Sequence, residues 1–452
     1  MNKYDLVIIG GGPAGYVPAI RAAQLGKRVA VAEEEEMGGT CLNRGCIPTK
    51  TLVASTTLLR NSQNSRKYGL EGSLSFSWDK LSRRKDLVVK RLRKGVEAHL
   101  KHLGIEVFNA HAVLKNRGEV LVGDKLLEAD NVLLSPGSLP LKPGPFAVDG
   151  VQTSRDVLSW DTLPASLIIV GGGIVGCEFA SIFASLGVEI TIVEMLPSIL
   201  PGIDDDIRQV VNSSLNRSGV NIHTDNAAER VKVSEKSAEV IMADGMQLSA
   251  DRILVSIGRR ARTEGLNLSA AGVEFTFSGI QTDDNQMTNL KGVYAAGDVT
   301  GKWQLAHAGS AQALAAVDRM FGRGDRSINP DTMPGCIFTS PEIAIVGPGQ
   351  NEWEERGVPV RTGMSRYIAN GKAVGMNETE GFVKIIARER DDVVIGVQIV
   401  GADASSLVGE AVLAVNLGVK ASEIGEMIHP HPTLSELYME AGESFGAGAI
   451  HG

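Results

Sequence analysis

A unit of strand, glycine-rich turn and helix occurs twice in this chain, and no other feature restricts its possible folds as sharply. Leu6-Val7-Ile8-Ile9 leads into Gly10, Gly12 and Gly15, and Leu167-Ile168-Ile169-Val170 leads into Gly171, Gly173 and Gly176. Both copies have the spacing Gly-x-Gly-x-x-Gly, and a helical stretch follows each, Pro13 to Leu25 and Ile174 to Leu186. Gly26 or Gly187 then introduces a second strand that ends in a carboxylate, Glu33 or Glu194, equally far from the first glycine in both copies. The first glycine permits a tight turn, the second lets backbone approach a pyrophosphate, and the third allows close helix–strand packing. The helix N-terminus then faces the phosphate charge. One such fingerprint is weak, because glycine-rich turns are common, but two complete units point to two dinucleotide sites. A carboxylate where the adenosine ribose lies favours nucleotides without a 2′-phosphate.

At 452 residues the chain is long enough for about three domains at ~150 residues each. Ser135-Pro136-Gly137-Ser138-Leu139-Pro140, with further prolines to Pro145, is a crossing between domains, and a second boundary falls near Gly258. From about Asp331 the texture changes to strands such as Val393 to Val400 followed by a helical stretch over 403–418, with no further fingerprint. The expected fold class is α/β, with two Rossmann-like dinucleotide-binding domains and an α+β C-terminal domain. A formal charge of −8 disfavours nucleic-acid and anionic-membrane partners. No apolar run approaches the ~18 residues of a membrane span. The basic stretch Arg83 to Lys101, with Leu87, Leu92, Val96 and Leu100 spaced beneath its charges, reads as an amphipathic helix with a solvated face. Four cysteines are too few for a secreted disulfide framework, and the start runs directly into a strand without a leader, so the expected location is the cytoplasm.

Two of those cysteines lie in Gly38-Gly39-Thr40-Cys41-Leu42-Asn43-Arg44-Gly45-Cys46-Ile47-Pro48-Thr49-Lys50. Zinc ligation is disfavoured because the usual Cys-x2-Cys spacing and a second ligand pair are absent, so no metal is expected. On a regular helix, residues five apart have α-carbons about 8.6 Å apart, whereas a disulfide needs about 4.4–6.8 Å. Gly45 gives the backbone freedom to break the helix, so the spacing reads as a pair that can cross-link and reopen, a redox device in a reducing compartment.

This segment resembles the active-site sequence of the flavoprotein disulfide reductase family that includes dihydrolipoamide dehydrogenase, glutathione reductase and mercuric reductase, and the resemblance spans nearly the whole chain. It implies that Cys41 is the interchange thiol attacked by substrate, that Cys46 lies against the flavin, and that Lys50 sits near flavin N5 paired with Glu178. It also assigns Gly10, Gly12, Gly15, Glu33, Gly39 and Thr40 to FAD, and Gly171, Gly173, Gly176, Glu194 and Gly258 to NAD, a choice that spacing alone leaves open. Further FAD contacts are implied at Ala112, Gly137, Ser138, Asp298 and Ala306. The implied domains are 1–145 with 261–330 for FAD, 146–260 for NAD, and 331–452 for dimerisation, the chain being a homodimer. Pro136 stands where the family usually carries threonine, and Pro18 falls inside the first nucleotide helix, where proline can cost ~3 kcal/mol.

Oxidising a dithiol requires a base, because the thiolate is the nucleophile. His431 and Glu436, in His429-Pro430-His431-Pro432-Thr433-Leu434-Ser435-Glu436, are the expected pair: an imidazole can take the proton and a carboxylate orient it. Pro432 can occupy the first turn of a helix, from which Glu436 reaches back. The resemblance aligns its base with His431 rather than His429 and has it serve the partner subunit's cysteines. His99, His102, His111, His223, His307 and His451 read as structural. Arg259 and Arg260 read as surface or loop residues, and Glu34 to Glu36 as solvent-exposed.

Within the family, mercuric and high-molecular-weight thioredoxin reductases need a further C-terminal cysteine pair, and none follows Cys336. Glutathione reductase calls for basic residues where Glu194 stands. The resemblance therefore implies oxidation of dihydrolipoyl groups, carried by proteins of 2-oxo-acid dehydrogenase or glycine cleavage systems, with reduction of NAD+. The reading from another class is a docking subunit that keeps its flavin only for structure, which would not turn over lipoamide with NADH.

Overall fold

The computed structural model describes residues 3–234, 237–324 and 326–451. In the first sheet the central strand Lys3–Ile9 runs parallel to Val29–Ala32 on one side and Lys125–Leu134 on the other. Glu106–Phe108 extends the first edge. Glu119–Val122 and Ala112–Asn116 form an antiparallel meander beyond Lys125–Leu134. The chain returns to this sheet late, when Val293–Ala295 pairs in parallel with Lys125–Leu134. Helix Pro13–Gln24 runs unbroken through Pro18, whose ring lies on the buried face with Ala14 and Ala22.

The second module repeats the plan. Ser166–Val170 lies between Glu189–Val193 and Arg252–Val255, with Asn221–His223 at the edge, all parallel. Near-continuous apolar strands such as Leu167-Ile168-Ile169-Val170 are buried on both faces, as parallel sheets require. The C-terminal portion is a five-stranded antiparallel sheet in the order Pro334–Ile337, Glu342–Val346, Val394–Gly401, Phe382–Arg388 and Val360–Arg366, with helix Ala404–Leu417 packed on it. One apolar cluster runs from Leu52 and Leu59 on helix Cys46–Gln63, through Phe179 and Phe183 on helix Ile174–Ser185, to Ile337 and Phe382 of the C-terminal sheet. That shared core sets the relative positions of the residues described below.

The basic stretch is a helix, Trp78–His102, but its buried stripe differs from the expected one. Leu100 is fully buried, while Leu87 and Leu92 are 67% and 43% exposed. Trp78 and Lys85 occupy the buried positions instead, and Lys85 donates to Leu158 O at 2.6 Å. Among the described residues no helix is long and apolar enough to cross a membrane.

Lys384 ties the second module to the C-terminal sheet. Its ammonium, 4% exposed, lies 3.0 Å from Asp204 and 2.7 Å from Asp206 at the start of helix Asp205–Arg217. Lys384→Met should leave two facing carboxylates without their cation and cost about 3 kcal/mol, the low end for a broken buried pair because Asp206 reaches water. Thermal unfolding measures this, and an unchanged midpoint would show that the pair contributes nothing.

Candidate active site

The two glycine loops divide their tasks as the spacing requires. A Cβ on the first glycine would lie 2.2 Å from Ser135 O at Gly10 and 2.7 Å from Ser256 O at Gly171; on the third it would lie 1.8 Å from Gly10 O at Gly15 and 2.0 Å from Gly171 O at Gly176. On the second glycine the nearest atom is 3.8 Å away at Gly12, and none lies within 4 Å at Gly173. The packed glycines hold the turn and the helix; the open one leaves a cradle a phosphate can enter. The helices that follow carry no side-chain cap, so their N–H groups remain for an anion. Glu33 accepts from Gly11 N at 2.7 Å and Glu194 from Gly172 N at 2.8 Å, which places each carboxylate against its own loop. Ala112 and Pro136 line the first cavity with Gly10 and Glu33. These features fit a dinucleotide in each module.

The repeat extends further than the fingerprint. Ser135 donates to Ile9 O and Gly10 O, and Ser256 to Val170 O and Gly171 O. Each is followed two residues on by a glycine of positive φ, Gly137 and Gly258. Aligning Leu134-Ser135-Pro136-Gly137 with Val255-Ser256-Ile257-Gly258 would have exposed this second echo.

Helix Gly39–Arg44 stops at Gly45 and a new helix, Cys46–Gln63, begins at once. A Cβ at Gly45 would lie 3.0 Å from Thr40 O, so a side chain there presses on the backbone that carries Cys41. The break brings two free thiols close enough for each to perturb the other's ionisation. The Cys46 sulfur beside it, and then burial, push the Cys41 thiol up. Cys46 is lowered to about 7, first by the Cys41 hydrogen bond and also by the Lys50 charge, against burial and Glu178. The pair therefore divides into a proton holder and a thiolate.

Lys50 Nζ lies 2.9 Å from both oxygens of Glu178 and 4.4 Å from the centre of the Phe338 ring. Glu178 also accepts from Phe338 N at 2.9 Å. Tyr16, which the sequence did not single out, is close enough to Cys41 that burial and that sulfur raise its phenol. Its position one residue past Gly15 on the nucleotide helix is the signal that could have found it.

Ser138 donates to Asp298, joining the two FAD residues implied across the chain. Arg259, expected at the surface, is instead half-buried and turned inward: its Nε donates to Ser138 Oγ at 2.7 Å and a terminal nitrogen to Ser138 O at 2.8 Å. Antiparallel pairing of Arg259–Ala261 with Ser138–Pro140 carries it inward. Arg260 pairs with Glu264 at the surface. Glu34 to Glu36 are exposed, but each is tied: Glu34 to His111 and Arg262, Glu35 to Arg44 and Arg155, Glu36 to Arg44 and Arg93. Ala306 opens helix Ala306–Met320, and His307 bonds Pro334 O at 2.8 Å.

His431 Nδ1 lies 2.9 Å from Glu436 Oε1, and Glu436 Oε2 accepts from Thr433 N at 2.8 Å. Partial burial opposes ionisation of Glu436, but these two bonds prevail and hold its carboxyl below the usual range. Pro432 is not in a helix; a cis His431–Pro432 bond precedes helix Glu436–Glu443, which begins at the carboxylate itself. His429 is bonded at both nitrogens, to Met427 O and Glu410. Among the described residues His431 Nε2 has no hydrogen-bond partner, and the side chain is 78% exposed. Of these two histidines, only His431 presents a free nitrogen outward. The principal groups tuning the cysteines include no histidine of the same chain.

The sequence matches the profile of the pyridine nucleotide-disulphide oxidoreductases over residues 4–313, and that of their dimerisation domain over 333–442. It is 39% identical over 458 residues to a dihydrolipoyl dehydrogenase of Bacillus subtilis, covering 99% of each chain. A dihydrolipoyl dehydrogenase of Thermus scotoductus is 36% identical over 459 residues, covering 100% of this chain and 99% of the relative. Among solved structures, LpdA from Mycobacterium tuberculosis has a TM-score of 0.92 at 30% identity, covering 99% of this chain and 100% of that one. The HOCl-induced flavoprotein disulfide reductase RclA from Escherichia coli has a TM-score of 0.89 at 29% identity, covering 98% and 99%.

Proposed function

Because this chain belongs to the pyridine nucleotide-disulphide oxidoreductase family, we propose that it oxidises dihydrolipoyl groups to the disulfide with reduction of NAD+ to NADH. The observation that carries this reading is the helix break at Gly45, which sets Cys41 against a Cys46 thiol held low by Cys41 and Lys50.

The chain's residues act in sequence. With the Cys41–Cys46 bond formed, His431 Nε2 takes a proton from the substrate dithiol, and the resulting thiolate attacks Cys41 Sγ. Cys46 leaves as a thiolate, the better leaving group because its proton affinity is lowered. His431 passes the first proton to the departing Cys41 and takes the proton of the second substrate thiol, whose sulfur attacks the first and closes the lipoyl disulfide, leaving a Cys41 thiol, a Cys46 thiolate and a protonated His431. Two electrons and two protons leave the substrate. FAD, held by the first nucleotide module, would supply a two-electron acceptor between the cysteine pair and NAD+. Lys50, fixed by Glu178, keeps a positive charge beside the departing sulfur.

We assign FAD to 1–145 with 261–330, held by Gly10, Gly12, Gly15, Glu33, Gly39, Thr40, Ala112, Gly137, Ser138, Asp298 and Ala306. NAD falls to 146–260, at Gly171, Gly173, Gly176, Glu194 and Gly258. The dimerisation domain, within 331–452, supports a homodimer in which His431 and Glu436 of one copy serve the cysteines of the other. The expected partners are cytoplasmic proteins bearing lipoyl groups. Anaerobic titration with dihydrolipoamide tests the whole: a long-wavelength thiolate–flavin band should appear, followed by NADH when NAD+ is added. A protein that shows neither is the docking subunit.

Glu194 also sets the nucleotide preference. It is 7% exposed, and a 2′-phosphate about 4 Å away would be repelled by roughly 4 kcal/mol at an effective dielectric near 20, before screening. NADH should surpass NADPH in steady-state efficiency by about 100-fold or more. Equal efficiencies would remove Glu194 from the ribose.

A further inference from the structure

The half-buried Arg259 has no part in the catalytic steps. Its Nε has no lone pair, so the Ser138 hydroxyl must accept from it, and the hydroxyl's only proton is then committed to Asp298. The second bond, from a terminal nitrogen to Ser138 O at 2.8 Å, fixes the guanidinium in its plane. The three groups come from three places: the strand after Gly258, the strand after Gly137, and the turn that follows Val293–Ala295. Arg259 thus bolts together the exits of both nucleotide modules. Its charge also feels Asp298 and the Cys46 sulfur, although Cys41, Lys50 and Glu178 act on that sulfur more strongly.

We propose that Arg259 is a positioning residue of the redox centre: through Ser138 it aims the Asp298 carboxylate, and it supplies a second fixed cation on the Cys46 side. One oxygen of Asp298 is taken by Ser138, which leaves the other to accept from a hydroxyl-bearing ligand. Lys50 and Arg259 stand on different elements, and the Arg259 charge acts on Cys46 more weakly than Cys41, Lys50 and Glu178 do. For its flavin readouts this inference rests on the proposed function.

The test compares Arg259→Met and Arg259→Lys with the native holoenzyme. FAD dissociation, followed by flavin fluorescence on dilution, should be about tenfold faster in Arg259→Met, the scale of losing a charge-assisted hydrogen bond. In the fraction that keeps FAD, the pH midpoint of the long-wavelength band after two-electron reduction should rise, by up to about one unit. Arg259→Lys should keep that midpoint near native while FAD release stays faster, because a lysine restores charge but not the paired donation. Faster FAD release in both variants with the midpoint unmoved in both would reduce Arg259 to packing and overturn the proposal. So would native values of both quantities in Arg259→Met. If Arg259→Met retains no FAD, the pH profile of Cys46 alkylation by iodoacetamide decides the same question: an upward shift supports the proposal and an unshifted profile sinks it. Absence of the band in native holoenzyme would count against the proposed function instead, and the alkylation profile would still decide the role of Arg259.

Discussion

Cys46→Ser protein should lose dihydrolipoamide oxidation by a factor on the order of 10⁶, the scale seen when a group on which covalent catalysis depends is removed. Without Cys46 no bond to Cys41 can form, so the substrate sulfur has nothing to break. NADH oxidation by a dye that takes electrons at the flavin should survive, since that route opens no S–S bond. Cys41→Ser separates the two sulfurs. It keeps the Cys46 thiolate beside Lys50 but removes its largest stabiliser, so the absorbance band persists while its pH midpoint rises toward the free-thiol value of ~8.5. Dihydrolipoamide turnover by Cys46→Ser protein at a substantial fraction of the native rate would end the proposed mechanism.

The second large effect belongs to the C-terminal pair. His431→Asn should reduce dithiol turnover by ~10²–10⁴, the usual worth of a general base, and leave dye reduction by NADH intact. Asparagine occupies similar space but cannot take the substrate's proton, so the attacking thiolate becomes scarce. His429→Asn should have little effect on chemistry, because both nitrogens of that ring are already bonded. Mixing Cys46→Ser and His431→Asn subunits offers a sharper measurement. A site built from two copies regains one working centre in each hybrid dimer, whereas a site built within one copy regains none. Native turnover by His431→Asn alone would dismiss the histidine from the reaction.

The sequence exposed the parts of this protein whose constraints are local. A glycine is demanded where a Cβ would strike backbone within a turn, as at Gly10 and Gly15, and an alternation of strand and helix is legible from a dozen neighbouring residues. Gly45 was likewise informative, because five residues of regular helix cannot bring two sulfurs together. The misjudged positions were long-range. Leu87 and Leu92 have helical spacing, yet the buried stripe of their helix is chosen by what it packs against, including the Leu158 carbonyl that captures Lys85. Arg259 looks like one of a pair of surface arginines until the strand it occupies pairs with Ser138–Pro140. Pro432 fitted a helical first turn by type, whereas the backbone places the helix start at Glu436.

The linear order of residues by itself determined two nucleotide folds, a cysteine pair that must break its helix, and a histidine–carboxylate pair near the end of the chain, because each is specified by residues within one or two turns of one another. The family resemblance implied that Glu178 pairs with Lys50, and the fold closes that contact across 128 positions; tertiary structure alone decided that Arg259 bonds Ser138 and Ser138 bonds Asp298, and that His431 rather than His429 keeps a free nitrogen. Charge and hydrogen-bond partners act over a few ångströms of space, and only the packing of sheets and helices brings distant residues within that reach.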